Sequence, residues 1–412
     1  MRLLRDLQTL TGLVRDAISR RHARARWDRH LASRPAADQP FEAVIHFADT
    51  PVNIYQLRQW YEPMRRLAQL HPVAVITGDV ESAALLADEC PLPVVLHPTV
   101  GETERWLRTQ RVGIVFYVNQ NALNFRMLRF RDPAHVFISH GESDKDYMAS
   151  NQLKAYDHTF IAGQAAYDRI GRRLVDFDRD KHLVRVGRPQ VDVEHPGPDL
   201  PDDARTVVLY APTWEGDRPT MEYSSLRSHA LPLLDALLAT GRHRVVYRPH
   251  PRTGAFDPSY RALHETLVRK LESANRADPA AAHVFDADSP FGWHLDAADA
   301  CVCDISAVAF DWLATGKPLL LTEPASPAAE VDRDGLAGRL GTFPADRAGD
   351  VVEELERAAG YDQRARYAAI VEHYFGDVTP GASLGRFLDA CDRILSRRAR
   401  LAAHDPEHGA AR

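Results

Sequence analysis

Residues 135–141 read His135-Val136-Phe137-Ile138-Ser139-His140-Gly141. A short apolar run that ends on small and polar residues has the pattern of a buried strand opening into a loop at its carboxyl end. The same pattern returns in residues 245–251, Val245-Val246-Tyr247-Arg248-Pro249-His250-Pro251. Each run delivers an imidazole past the end of a strand, which is where open parallel sheets hold their ligands. Gly141 permits close backbone approach beside the first imidazole. Two prolines stiffen the turn that carries the second.

Outward from the first run, strands are expected at 43–47, 73–77, 94–97, 112–118, 135–139, 159–162 and 183–186, with helical stretches between them. Such alternation predicts βαβ units and a largely parallel sheet. The stretch 189–203 carries Pro189, Pro196, Pro198 and Pro201 among several acids and reads as a connection between domains. A second series follows at 207–210, 245–247, 283–286, 301–304 and 319–322, with helices at 231–239 and 260–271. The expected fold is α/β, with two doubly wound Rossmann-like domains facing a cleft. The expected boundaries are a basic amphipathic helix and linker at 1–40, an N-terminal domain at 41–195, a C-terminal domain at 196–380, and a helix and tail at 381–412. The last helix, 384–398, is expected to pack back onto the body, and the tail from Leu401 to fray.

Composition narrows the class. The chain has 412 residues, 45% hydrophobic and 26% charged, which is enough to bury the cores of two to three domains. A net charge of −6 gives no general reason to expect a nucleic-acid partner. Charge is uneven, however: through residue 31 there are eight arginines against three aspartates. Leu3, Leu7, Leu10, Val14 and Ile18 form one helical stripe beside those arginines. That face suits an anionic membrane surface, and equally a helix packed on the body or on another subunit. Pro35 and Pro40 then read as a linker. Four scattered cysteines without a CxxC pair, no apolar run of spanning length and no secretory h-region lead to the expectation of a cytoplasmic protein.

The chemistry-bearing residues sit just past strands. His140 is a candidate general base near neutral pH, or else a histidine that satisfies its loop. His250 lies between Arg248 and Arg252, whose guanidinium forks suit phosphate oxygens. Asp304-Ile305-Ser306-Ala307 leads into Phe310-Asp311-Trp312, so Ser306 is expected near a helix N-terminus that attracts an anion, or as an ordinary cap together with Asp304. Ala211-Pro212-Thr213-Trp214 offers a hydroxyl and an aromatic wall. Gly187-Arg188-Pro189-Gln190-Val191-Asp192 reads as a rigid turn. No GxxxxGK[ST] loop, HExxH site or GxSxG elbow occurs.

In this order, His140-Gly141, the turn from Gly187 to Asp192, Tyr210-Ala211-Pro212-Thr213-Trp214, Arg248-Pro249-His250-Pro251 and Asp304-Ile305-Ser306 with Phe310-Asp311 resemble the CDP-glycerol glycerophosphotransferase family, over about residues 135–322. The resemblance implies a GT-B fold with an acceptor-side N-terminal domain and a nucleotide-donor C-terminal domain. It implies a cytoplasmic enzyme peripheral to the inner face of the cell membrane, CDP-glycerol as donor, a lipid-linked acceptor and release of CMP in the synthesis of teichoic-acid-like polymers. His140 and His250 would be catalytic, in either order of roles, with Arg248, Thr213, Asp304, Ser306, Ala307 and Arg252 around the donor and Gly141, Asp192 and Asp311 in support. Mg²⁺ would be a possible helper, with Asp304 and Asp311 as the carboxylates in reach. The chain departs from the family pattern at Ala307, Gln190 and Glu215, where a second serine, an arginine and a basic residue are usual. The alternatives are a GT-B glycosyltransferase using a nucleotide sugar, and an inactive membrane-surface scaffold.

Overall fold

The computed structural model describes residues 2–33, 39–144, 149–287, 289 and 291–404, with backbone alone at 2–14, 16 and 361–364. Two parallel sheets organise it. The first contains β1 (Ala43–Phe47), β2 (Val73–Thr77), β3 (Val94–Leu96), β4 (Ile114–Tyr117), β5 (Ala134–Phe137), β6 (His158–Ile161) and β7 (Leu183–Arg185), in the order β3-β2-β1-β4-β5-β6-β7. The second contains β8 (Thr206–Ala211), β9 (His243–Tyr247), β10 (Val284–Phe285), β11 (Ala300–Cys303) and β12 (Leu319–Leu321), in the order β10-β9-β8-β11-β12. Each expected strand is present, with ends that move by at most two residues.

The continuous apolar runs follow from burial on both faces, since helices cover both sides of a parallel sheet. Ile45, Phe47 and Val75 enter one core and Val44, Ala74 and Ile76 the other, on opposite faces of the first sheet. In the second sheet, Leu209 and Ala211 face one core and Val208 and Tyr210 the other. Strand order reverses between β1 and β4 and again between β8 and β11, which opens a crevice at each of these switch points.

The terminal helices bind the lobes together. The helix Tyr361–Phe375 places Tyr374 and Phe375 in the second lobe's core. The next helix, Ala382–His404, crosses to the first lobe and buries Phe387, Ala390, Cys391 and Leu395 there. It runs beyond the expected 384–398 at both ends, so residues 401–404 are helical rather than frayed, while 405–412 lie outside the described residues. The helix Arg2–Ser33 lies against the helix Val80–Glu89, with Trp27 buried in the first core. Of the expected apolar stripe, Ile18 is exposed and the side chains of Leu3, Leu7, Leu10 and Val14 lie outside the described residues. So does most of the expected linker, 34–38.

Candidate active site between the lobes

A cavity of about 950 Å³ opens where the carboxyl ends of the two sheets face each other. Its first-lobe wall comes from the loops after β1, β4 and β5, and its second-lobe wall from those after β8, β9 and β11.

The loop bearing His140 is tightly held. Ser139 adopts a left-handed backbone, φ 56°, which is costly for a residue with a Cβ and persists only where neighbours enforce it. The Trp60 indole N–H donates to the Ser139 carbonyl at 2.5 Å, and the Ser139 hydroxyl donates to the Gly141 carbonyl at 3.0 Å. His140 Nδ1 lies 3.3 Å from the Val118 carbonyl. A carbonyl only accepts, so Nδ1 carries a proton, and the lone pair of the neutral form of this ring is on Nε2.

His250 has the opposite tautomer. Its Nδ1 accepts the backbone N–H of Arg252 at 3.1 Å, which leaves the proton of the neutral ring on Nε2. The phenol ring of Tyr55, on the helix Ile54–Arg58, stands edge-on to both imidazoles, with ring centres 6.2 Å from His140 and 6.3 Å from His250. Histidines from separate lobes thus share one aromatic neighbour in one cavity.

Second-lobe side chains build a cationic wall. Glu215 accepts the backbone N–H groups of Gly254, Phe256 and Asp257 and so fixes the loop that follows His250. Burial would raise the pKa of Glu215, but these hydrogen bonds prevail and hold it below the usual carboxylate range. The residue that departs from the family pattern here is therefore a loop anchor. Arg252 lies over the Trp214 ring at 3.9 Å. Arg248 donates to Asp286 at 2.5 Å and to the Ser289 carbonyl at 2.8 Å. Burial opposes the charge on Asp286, yet hydrogen bonds from His294 and Ser289 and the charge of Arg248 hold its pKa well below the usual range.

Ser306 sits at the cap position of the helix Ala307–Leu313, where its buried hydroxyl has no hydrogen-bond partner among the described residues. A Cβ added at Gly141 would come within 3.0 Å of the Ala307 Cβ, so glycine is what lets the two lobes touch there. The lobes are also pinned by charge. The buried Arg188 pairs with Asp311 at 2.5 Å across the cleft and donates to Gln59 at 2.8 Å and to the His140 carbonyl at 3.4 Å.

Of the expected site residues, His140, Gly141, Thr213, Arg248, His250, Arg252, Ser306, Ala307 and Asp311 line this cavity. Asp304 and Asp192 do not. Asp304 is fully buried and accepts from the Thr213 and Ser225 backbones and the Thr322 hydroxyl, tying the loop after β8 to β11 and β12. Burial raises its pKa. Asp192 accepts the Leu384 backbone N–H at the start of the last helix. With Asp304 and Asp311 engaged in this way, neither fits a Mg²⁺ ion, and no group of three or more metal-ligating side chains occurs among the described residues. The sequence reading missed Tyr55 and Gln59, and took Arg188 only as part of a turn. Asp49 and Asn119 were also missed, although both follow strands at the first switch point.

Among solved structures, the chain is similar to the wall teichoic acid polymerase TagF, with 14% identity, TM-score 0.53, and 95% of this chain and 97% of that chain covered. A TagF variant matches with TM-score 0.58 at 12% identity, over 88% of this chain and 90% of that one. A putative UDP-N-acetylglucosamine 2-epimerase from Listeria monocytogenes matches with TM-score 0.56 at 12% identity, over 87% and 97%. These likenesses show a shared two-lobed GT-B-like fold. No curated protein matches the chain in sequence. Residues 139–326 match the family model described as CDP-glycerol:poly(glycerophosphate) glycerophosphotransferase, a span that includes His140, Arg188, His250 and Ser306. Over residues 139–326 the chain is thus similar to the CDP-glycerol glycerophosphotransferase family.

Proposed function

We propose that the protein transfers glycerol phosphate from CDP-glycerol to a hydroxyl of a lipid-linked or polymer acceptor and releases CMP, in the synthesis of a teichoic-acid-like polymer. The acceptor oxygen attacks the phosphorus that bears glycerol, and the bond from that phosphorus to the bridging oxygen breaks. CMP departs with the bridging oxygen. The acceptor proton passes to Nε2 of His140 as general base. His250, through Nε2–H, and Arg252 stabilise charge on the phosphate of the departing CMP, with the Ser306 hydroxyl and the free N–H groups that open its helix beside them. Arg188 is a positioning residue that holds the His140 loop against the donor lobe.

The observation that carries this reading is the opposite tautomers of two histidines flanking one ring, one arranged to take a proton and the other to donate a hydrogen bond. Membrane contact through the helix Arg2–Ser33 belongs to the same proposal. Arg15, Arg20 and Arg21 are exposed on it, and no helix of the described residues is long and apolar enough to cross a membrane. Incubation with CDP-glycerol and a hydroxyl acceptor tests the chemistry: CMP and an acceptor heavier by glycerol phosphate are expected, whereas release of a nucleoside diphosphate would mean glycosyl transfer.

A further inference from the structure

The two walls of the cavity differ in charge. On the second lobe, Arg252 lines the cavity with no carboxylate partner among the described residues. On the first lobe, Arg58 is the lining cation, and it is clamped by Glu89 through two hydrogen bonds of 2.8 and 2.7 Å, so little of its charge is left for a ligand. Beside it the wall carries neutral amides and the carboxylates of Asp49, Glu62 and Glu142, of which Glu62 pairs with Arg65 and Glu142 with Arg169. Asn119 donates to Gln56 at 2.8 Å and to Asp49 at 3.2 Å, and Gln56 donates to the Tyr55 hydroxyl at 3.3 Å. Gln120 and Asn121 extend this surface.

An array of amide, phenol and carboxylate groups offers both donors and acceptors, which matches the hydroxyls of a neutral polyol or sugar. Among the described residues it offers a phosphate no cation that is not already paired with a carboxylate, and Asp49 repels one. The array also leads through Tyr55 to both histidines. Resting on the transfer reading above, we infer that the acceptor enters along this first-lobe wall by a neutral, hydroxyl-rich terminus, and that a terminus ending in glycerol phosphate is disfavoured. The donor's charged diphosphate keeps to the opposite wall.

Two measurements on the full chain separate this inference from the transfer reading. Calorimetry in the presence of CMP compares an alkyl hexoside, an alkyl ether of a linear polyol and the same alkyl chain ending in glycerol phosphate. Either neutral ligand is expected to bind at least about tenfold more tightly than the phosphate-ended one, a difference about the size of one well-placed charge contact. The tighter of the two identifies sugar or polyol. Asn119→Ala is expected to weaken the better neutral ligand about tenfold and to leave the phosphate-ended one within about twofold. Equal or tighter binding of the phosphate-ended ligand by the unaltered protein overturns the inference, and needs no variant to fold. CMP release is then followed with the same acceptors. Release that favours the phosphate-ended acceptor also overturns the inference while leaving glycerol-phosphate transfer standing. No release with any acceptor, with the neutral preference retained in calorimetry, removes the transfer reading and upholds the acceptor class.

Discussion

At the scale of single residues, the hydrogen bonds at Nδ1 set the two imidazoles apart, His140 donating there and His250 accepting. His140→Ala removes the proposed base, and turnover is expected to fall by roughly 10²- to 10⁴-fold while the dissociation constant for CDP-glycerol changes by less than about threefold. Single-turnover kinetics beside donor calorimetry would check it, and an equal loss in both would instead mark His140 as a donor ligand. His140 and His250 were legible because each follows an apolar run directly. Tyr55 was not: it lies on a short helix after β1 with no local signal, and only folding places its ring between histidines 85 and 195 positions away in the chain. Asp304 shows the opposite limit. Its place past a strand read as ligand-facing, but sequence does not reveal that its lone pairs are taken by Thr213, Ser225 and Thr322.

At the scale of elements, the twelve strands were legible because burial on both faces leaves runs with no polar alternation. What joins the elements was less so. Arg188, past β7, meets Asp311 on the helix Ala307–Leu313 over 123 positions of chain. Arg188→Met strands a buried carboxylate and is expected to cost about 3–5 kcal/mol in urea unfolding, and Asp311→Leu in the same chain is expected to restore most of it. A loss under about 1 kcal/mol in the single variant would show that the pair does not hold the lobes. For the helix Arg2–Ser33, replacing Arg15, Arg20 and Arg21 by glutamate is expected to abolish sedimentation with vesicles containing about 30% anionic lipid, without changing turnover of a water-soluble acceptor. Undiminished sedimentation would assign the exposed face of that helix to something other than an anionic surface. The sequence left this choice open because one amphipathic pattern serves membrane and protein contacts alike.

At the scale of the whole molecule, burial makes histidine titration a stability matter. Desolvation pushes His46, whose two ring nitrogens are buried, down to about 4, and lowers His135, His158, His243, His283 and His294 as well. In the unfolded chain these rings take up protons near pH 6.5. Below that pH the unfolded state binds protons that the folded state refuses, so stability is expected to fall as pH drops from about 6.5 towards 4. His46 alone accounts for up to about 3 kcal/mol of this loss. Urea midpoints between pH 7.5 and 5 would check it, and a flat profile would contradict it. The two-lobed architecture was read correctly from alternation. The charge contrast between the cavity walls was not, because Arg58 and Glu89 look like unrelated surface charges until they pair.

The most direct test of the central claim is quantification of nucleotide products from CDP-glycerol and a hydroxyl acceptor, with the unaltered protein, His140→Ala and His250→Ala side by side. One CMP is expected for each glycerol phosphate gained by the acceptor, with release at least about a hundredfold slower in either variant. A nucleoside diphosphate as the product, or either variant turning over at the unaltered rate, would contradict it.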